Sequence, residues 1–173
     1  MVGQQAGGLE VSGVVSLNAG TGAITLADAA NQFDSTVNAS GAAIVLHAAE
    51  ALSLGNVSSS TMLEIVSGGA VSLGTVNVGS DLTLNSASGG ITQSGALTVN
   101  GQAAINAGSG DIVLADPANQ FAQAVTVRGQ AITLAAASAL LLGDVNSGGN
   151  LALTTTGGSI SQAAGATLVA QGT

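Results

Sequence analysis

The stretch SDLTLNSASGGITQSGALTV at residues 80–99 decides the fold. It holds three short apolar runs, DLTL at 81–84, GITQ at 90–93 and ALTV at 96–99, punctuated by Ser, Gly and Asn. In DLTLN, Leu82 and Leu84 face one way and Thr83 the other, the period-two pattern of a strand buried on one side. Runs this short cannot sustain a sheet by themselves. They become stable when each lies on its equivalent in the next turn of chain. The expectation is therefore an all-β chain folded as a right-handed parallel β-helix, a solenoid with three short strands per coil.

Repeats outward from this stretch support the solenoid. It returns as GNLALTTTGGSISQAAGATL at 149–168, an offset of 69. A longer unit also recurs: AITLADAANQFDSTV at 23–37 comes back as DIVLADPANQFAQAV at 111–125. Leu26 becomes Leu114, Asp28 Asp116, Asn31 Asn119, Phe33 Phe121 and Val37 Val125, an offset of 88 that holds from Gln5–Ser59 to Gln93–Ser147. The difference, 88 minus 69, is 19, which is also the spacing at which LSLGNV at 52–57 recurs as VSLGTV at 71–76. Gain or loss of a whole unit is tolerated where each repeat touches only its neighbours. The chain thus divides as a single β-helix segment, 1–173, with large repeats at approximately 5–92 and 93–161 and the start of a third at 162–173.

Aligning the runs by these repeats gives three columns. The first begins at Val15, Ala43, Leu63, Leu82, Ala103, Ala131 and Leu151; the second at Ala23, Leu52, Val71, Ile91, Ile112, Leu140 and Ile160. The third, weaker column holds Val37, Val57, Val76, Leu97, Val125, Val145 and Leu168. Coil starts at 15, 43, 62, 81, 103, 131 and 150 imply a basic coil length of about 19, with two coils enlarged to about 28. On this register ADAANQF and ADPANQF are insertions of about nine residues, 28 minus 19, each fastened to the core by its phenylalanine. Alanine-rich LHAAEAL and LAAASALLLG have helical propensity, but flanking glycines and β-branched neighbours favour strand. Pro117, where the first copy has Ala29, suits a turn rather than a ladder position.

Composition narrows the function classes. Hydrophobic residues are 46 % of the 173 but aromatics only 1 %, which suits a narrow, regular interior of branched aliphatics. Charged residues are 6 % and the formal charge is −8, with Arg128 the one strong base. Nucleic acid and anionic membrane surfaces both require basic patches, so neither is an expected partner. No apolar run approaches the roughly 20 residues of a membrane-spanning helix, and no membrane insertion is expected. Cysteine is absent, which removes disulfides and thiolate metal sites and fits an exported surface protein. The start, MVGQQAGG, lacks the regions of a signal peptide, and Met1 reads as the beginning of a piece of a longer parent chain.

Catalysis on polysaccharides would need two carboxylates set across a cleft. The acids available are Glu10, Asp28, Asp34, Glu50, Glu64, Asp81, Asp111, Asp116 and Asp144. Only Arg128 and His47 could neutralise an acidic sugar, and aromatic platforms for sugar rings are missing. Asp28 and Asp116 occupy the same point of duplicated segments, the position of a turn-forming Asp bonded to its own backbone. His47 matches Ala135 and Arg128 matches Ser40, so both read as surface residues. The calcium nonapeptide of β-rolls is absent, and GTGAITL and GSGDIVL lack the lysine of a Walker motif. Outward Thr25, Thr83 and Thr133 have Glu64, Val45, Val113 and Ala152 as neighbours, which breaks any flat ice-binding array. The expectation is a non-enzyme with no catalytic, cofactor-binding or metal residues and no cofactor.

The stretch GSDLTLNSASGGITQSGALTVNGQAAINAGSGDIVLADPANQF at 79–121, with its echoes at 7–33 and 149–170, resembles the repeats of filamentous-haemagglutinin-type exoproteins. These are large two-partner-secreted adhesins of Gram-negative bacteria. The resemblance covers nearly the whole chain and implies a right-handed parallel β-helical shaft, secreted or attached to the outer membrane, that projects a distal binding region. The NPNL- and NPNG-like motifs of that family's secretion domain are missing, as is a recognisable toxin or receptor-binding tip. The implied role is a structural shaft segment of an extracellular adhesin. The alternative is a subunit that self-assembles into a filament through open coil ends, and the third reading a carbohydrate-binding or carbohydrate-active β-helix. The partners so implied are neighbouring coils of a longer parent chain or identical subunits stacked end to end, with a host or bacterial surface ligand.

Overall fold

A computed structural model describes residues 1–172. Every regular element among them is a short strand, and the alanine-rich segments are strand and turn as well. The strands stack in parallel as a β-solenoid of about eight turns. Its first face is built by Val2–Gly3, Ile24–Leu26, Ile44–Ala48, Leu63–Ser67, Leu82–Ser86, Ala103–Asn106, Val125–Gly129, 145–147 and Leu168–Ala170. The second face runs from 52–54 through Val71–Leu73, Ile91–Gln93, Ile112–Leu114 and Ile132–Ala136 to Leu151–Thr155. The third stacks Val15–Asn18, Val37–Gly41, 57–59, Val76–Val78, Leu97–Val99 and Gln120–Phe121. At the usual spacing of paired strands, eight turns make a rod about 40 Å long.

The alternation read from the sequence holds. Leu82 and Leu84 are buried while Thr83 between them is half-exposed, and the same in–out pattern repeats on each face of the middle turns. The interior is Leu, Ile, Val and Ala with Phe33 and Phe121 as its only aromatics. Burial of each Leu or Ile contributes about 1.5–3 kcal/mol. Buried serines close the corners. The Oγ of Ser59, Ser67, Ser86 and Ser147 each donates to a carbonyl 17 residues earlier, those of Ala42, Glu50, Gly69 and Gln130, at 2.6 to 2.9 Å. Among the described residues no buried side-chain polar atom lacks a partner, as a dry interior requires.

The coil register differs from the one expected. Val15 stacks on Val37 and not on Ala43, and Ala103 on Val125 and not on Ala131. Among the described residues, and away from the irregular pairs at Val37 and Val125, no register partners are closer in sequence than Val127 and Val145 or farther apart than Val145 and Leu168. The enlarged coils of 28 therefore do not exist. The expected columns hold from residue 37 to 114 and slip by one face on either side. The reason is that Ala-Asn-Gln-Phe is no insertion. Gln32–Phe33 and Gln120–Phe121 are strands in their own right, paired with Glu10–Val11 and with 98–99. Gln32 N–H donates to the Leu9 carbonyl at 2.6 Å and Asp34 N–H to that of Val11 at 3.0 Å, so the segment occupies a face that the alignment left empty.

One consequence is a phase shift between the repeats. Val15 lies on the third face and its sequence equivalent Ala103 on the first; Ile24 lies on the first and Ile112 on the second. The offset of 88 carries the chain four turns and one face further, and the offset of 69 carries it three turns and one face, from Leu82 to Leu151. Sequence equivalents therefore point in different directions around the rod. At the ends the core is open: Val2, Val11, Val15, Leu17, Leu151 and Leu153 are only partly buried, and Ile160, Leu168 and Val169 are exposed.

Candidate functional site

The most exactly repeated residues form a buried amide clasp. A turn begins it: Asp28 Oδ1 accepts the Ala30 N–H at 2.9 Å, and Asp116 does the same with Ala118, as expected of a turn-forming Asp. The turn closes by the Asn31 N–H donating to the Asp28 carbonyl at 3.2 Å and the Asn119 N–H to that of Asp116 at 3.1 Å, with Pro117 at the second turn position, where its fixed φ fits. This geometry swings Asn31 and Asn119 inward, where both are fully buried. The strand that follows then buries Phe33 and Phe121, whose anchoring role is as expected.

Each asparagine bonds to three successive turns. Asn119 Oδ1 accepts the Leu97 N–H at 2.8 Å and the Gln93 Nε2–H at 2.8 Å, both from the turn below. Its Nδ2 donates to Gln93 Oε1 at 2.8 Å, to Leu114 O of its own turn at 3.2 Å and to Ala135 O of the turn above at 3.2 Å. Asn31 repeats the set with Leu9, Gln4, Leu26 and His47. The two side-chain amides thus meet face to face, each donating to and accepting from the other, and the glutamine's remaining N–H reaches a carbonyl of its own turn, Gly7 or Gly95, at 2.7 Å. Sequence reasoning recorded the recurrence of the asparagine without assigning it this role, and it aligned Gln5 with Gln93. The structure puts Gln4 there, because the loop to Leu9 is one residue longer than the loop from Gln93 to Leu97. The available signal was an asparagine held constant in an apolar segment, with a glutamine 26 or 27 residues before it.

The remaining acids act singly. Asp81, Asp111 and Asp144 are exposed at coil edges, where each Oδ1 accepts a backbone N–H from the next turn, of Gln102, Ala131 and Thr167, at 2.8 to 2.9 Å. Thr167 holds the Asp144 carboxyl below its ordinary range, chiefly through its backbone N–H and then through its hydroxyl. His47 Nε2 lies 3.2 Å from Glu64 Oε1, within hydrogen-bond reach, and Arg128 is exposed. Glu10 begins the strand that pairs with Gln32–Phe33, Asp34 follows that pair, and Glu50 is an exposed corner residue whose carbonyl takes the Ser67 hydroxyl. Among the described residues no three His, Asp or Glu side chains gather closely enough to hold a metal.

Two of the surface grooves lie along the sides of the rod. One of about 400 Å³ on the third face is lined by Ser16, Asn38, Ser40, Asn56, Ser58 and Asn77, with no charged group on its wall. Another of about 330 Å³ runs past Phe33 and Asp34 to Leu52 and Val71, where the second-face ladder is interrupted. On the outer surface Thr25, Val45, Glu64 and Thr83 stand in one register row and Val113, Thr133 and Ala152 in another, mixed rows without a threonine array.

A family model described as "Repeats of unknown function (DUF5649)" matches residues 1–40, 60–128 and 129–173. The chain belongs to this repeat family. The first and second matched stretches each contain one complete clasp, Gln4 with Asn31 and Gln93 with Asn119; the third contains Gln162. No curated protein and no solved structure matches the chain.

Proposed function

We propose that this segment is a non-catalytic structural shaft of a filamentous-haemagglutinin-type adhesin, secreted or attached to the surface of a Gram-negative bacterium. The observation that carries the proposal is where the polar side chains point. The buried asparagines and serines and the edge aspartates Asp81, Asp111 and Asp144 all bond one turn to the next. Side chains used in this way stiffen a rod, and such stacking extends without limit in one dimension. The cysteine-free, charge-poor composition suits an extracellular rod. The test is immunogold microscopy of intact cells that make the parent protein, with antibody against residues 1–173. Label on intact cells supports the shaft; label only after lysis refutes its surface location. Turnover of acidic polysaccharides by the pure protein would refute the non-catalytic part.

A further inference from the structure

Of the eleven asparagines in the chain, two are followed at the second position by a hydroxyl residue: Asn38, in Asn38-Ala39-Ser40, and Asn56, in Asn56-Val57-Ser58. Asn-x-Ser, with x other than proline, is the pattern that accepts a sugar on the amide nitrogen. The two asparagines lie 18 residues apart in sequence, and the fold brings them together. The Asn56 N–H donates to Asn38 Oδ1 at 2.9 Å, Ser40 pairs in register with Ser58, and all four side chains line the groove of about 400 Å³ on the third face. Side chains alternate along a strand, so each asparagine projects on the same side as its serine, away from the buried Ala39 and Val57. Asn56, Ser40 and Ser58 are exposed, and Asn38 is half-buried.

We propose that Asn38 and Asn56 are sites of N-glycosylation, and that the groove they share seats the sugar attached to each. In the step, Nδ2 bonds to the anomeric carbon of a sugar carried as a phosphate ester. The bond from that carbon to the phosphate oxygen breaks, the phosphate leaves with the electron pair, and Nδ2 gives up one proton. Nothing is oxidised or reduced, and the co-reactant is a nucleotide-linked or lipid-linked sugar delivered by a transferase. The product fits the site. A glycosylated asparagine keeps its carbonyl oxygen, so the bond from Asn56 N–H to Asn38 Oδ1 survives. The wall supplies hydroxyls and amides, those of Ser16 and Asn77 included, and no charged group, which suits the hydroxyls of a neutral sugar. The fold itself does not require these residues. In the second copy Thr126, Arg128, Asp144 and Asn146 stand at the equivalent positions, with the same irregular pairing, and form no acceptor pattern. The proposal rests on the groove and not on the surface role given above, so its failure would leave that role standing.

The test is mass spectrometry of the protein purified from cells that make the parent chain. A glutamate-specific protease cuts after Glu10, Glu50 and Glu64, and so separates residues 11–50 from 51–64, each holding one of the two sites. Fragmentation should place sugar on Asn38 and Asn56 and on no other asparagine. Stepwise addition of single sugars identifies a nucleotide carrier and one preassembled oligosaccharide a lipid carrier; both support the sites. Ser40→Ala should remove the sugar from Asn38 alone and Ser58→Ala from Asn56 alone, whereas Ser58→Thr should retain it. Both hydroxyls are exposed, so these variants should melt with the parent and the loss of sugar is read on folded protein. Either asparagine found bare in the parent, sugar carried on hydroxyls in place of the amides, or amide modification that survives loss of its serine would overturn the proposal.

Discussion

Replacing Asn119 by Ala removes one side chain and disturbs three turns. Asn119 is fully buried, and its amide bonds to Gln93, to the Leu97 N–H and to the carbonyls of Leu114 and Ala135. Four partner groups lose a bond, and at about 1 kcal/mol each the loss is about 4 kcal/mol. The Leu97 N–H is the hardest of them to satisfy otherwise, since Leu97 is fully buried, whereas Gln93 is half-exposed and can be rehydrated. For a chain of this size each kcal/mol lowers the melting midpoint by about 2–4 °C, so circular dichroism should show a fall of about 10 °C. Because solenoids can unfold in parts, amide exchange at Leu97 is the sharper readout, and its protection should collapse in the variant. Gln93→Ala should cost less, and the double variant should cost about 1 kcal/mol less than the sum of the two. A midpoint within about 2 °C of the parent, or unchanged protection at Leu97, would refute the clasp as a stabilising element.

Adjacent residues on opposite sides of one strand give a test of the inside–outside assignment. Leu114→Asp buries a charge at a fully enclosed site and should unfold the surrounding turns, whereas Val113→Asp, at a position 41 % exposed, should leave the melting curve within about 0.5 kcal/mol of the parent. A Cβ at Gly68 would fall on the Ala49 carbonyl of the turn below, while one at Gly13 meets nothing within 4 Å; Gly68→Ala should melt well below the parent and Gly13→Ala beside it. The Asp144 carboxyl sits below its unfolded value of about 3.9, so the stability it confers is present above that pH and is lost as pH falls through the folded value. Protection of the Thr167 amide, its exchange measured against the intrinsic rate at each pH, should fall over that acid range in the parent and show no such step in Asp144→Asn.

The sequence by itself determined which residues face inward. Alternation in DLTL, ITL and IVL is a local property, since successive side chains of a strand point to opposite faces whatever it pairs with. It determined the parallel solenoid too, because runs this short have no stable arrangement except on their own equivalents. The turn role of Asp28 and Asp116 was legible for the same reason: an Asp bonded two residues ahead needs no distant partner. Only the tertiary structure decided which strand lies on which. Register depends on how many faces a segment fills, and Ala-Asn-Gln-Phe, with a single alternating pair, resembles a loop until Leu9 and Val11 are seen to pair with it. The clasp was hidden likewise. Asn119 and Gln93 are 26 residues apart, and whether that distance spans one turn or falls between turns is settled by the stacking that their own amides help to hold.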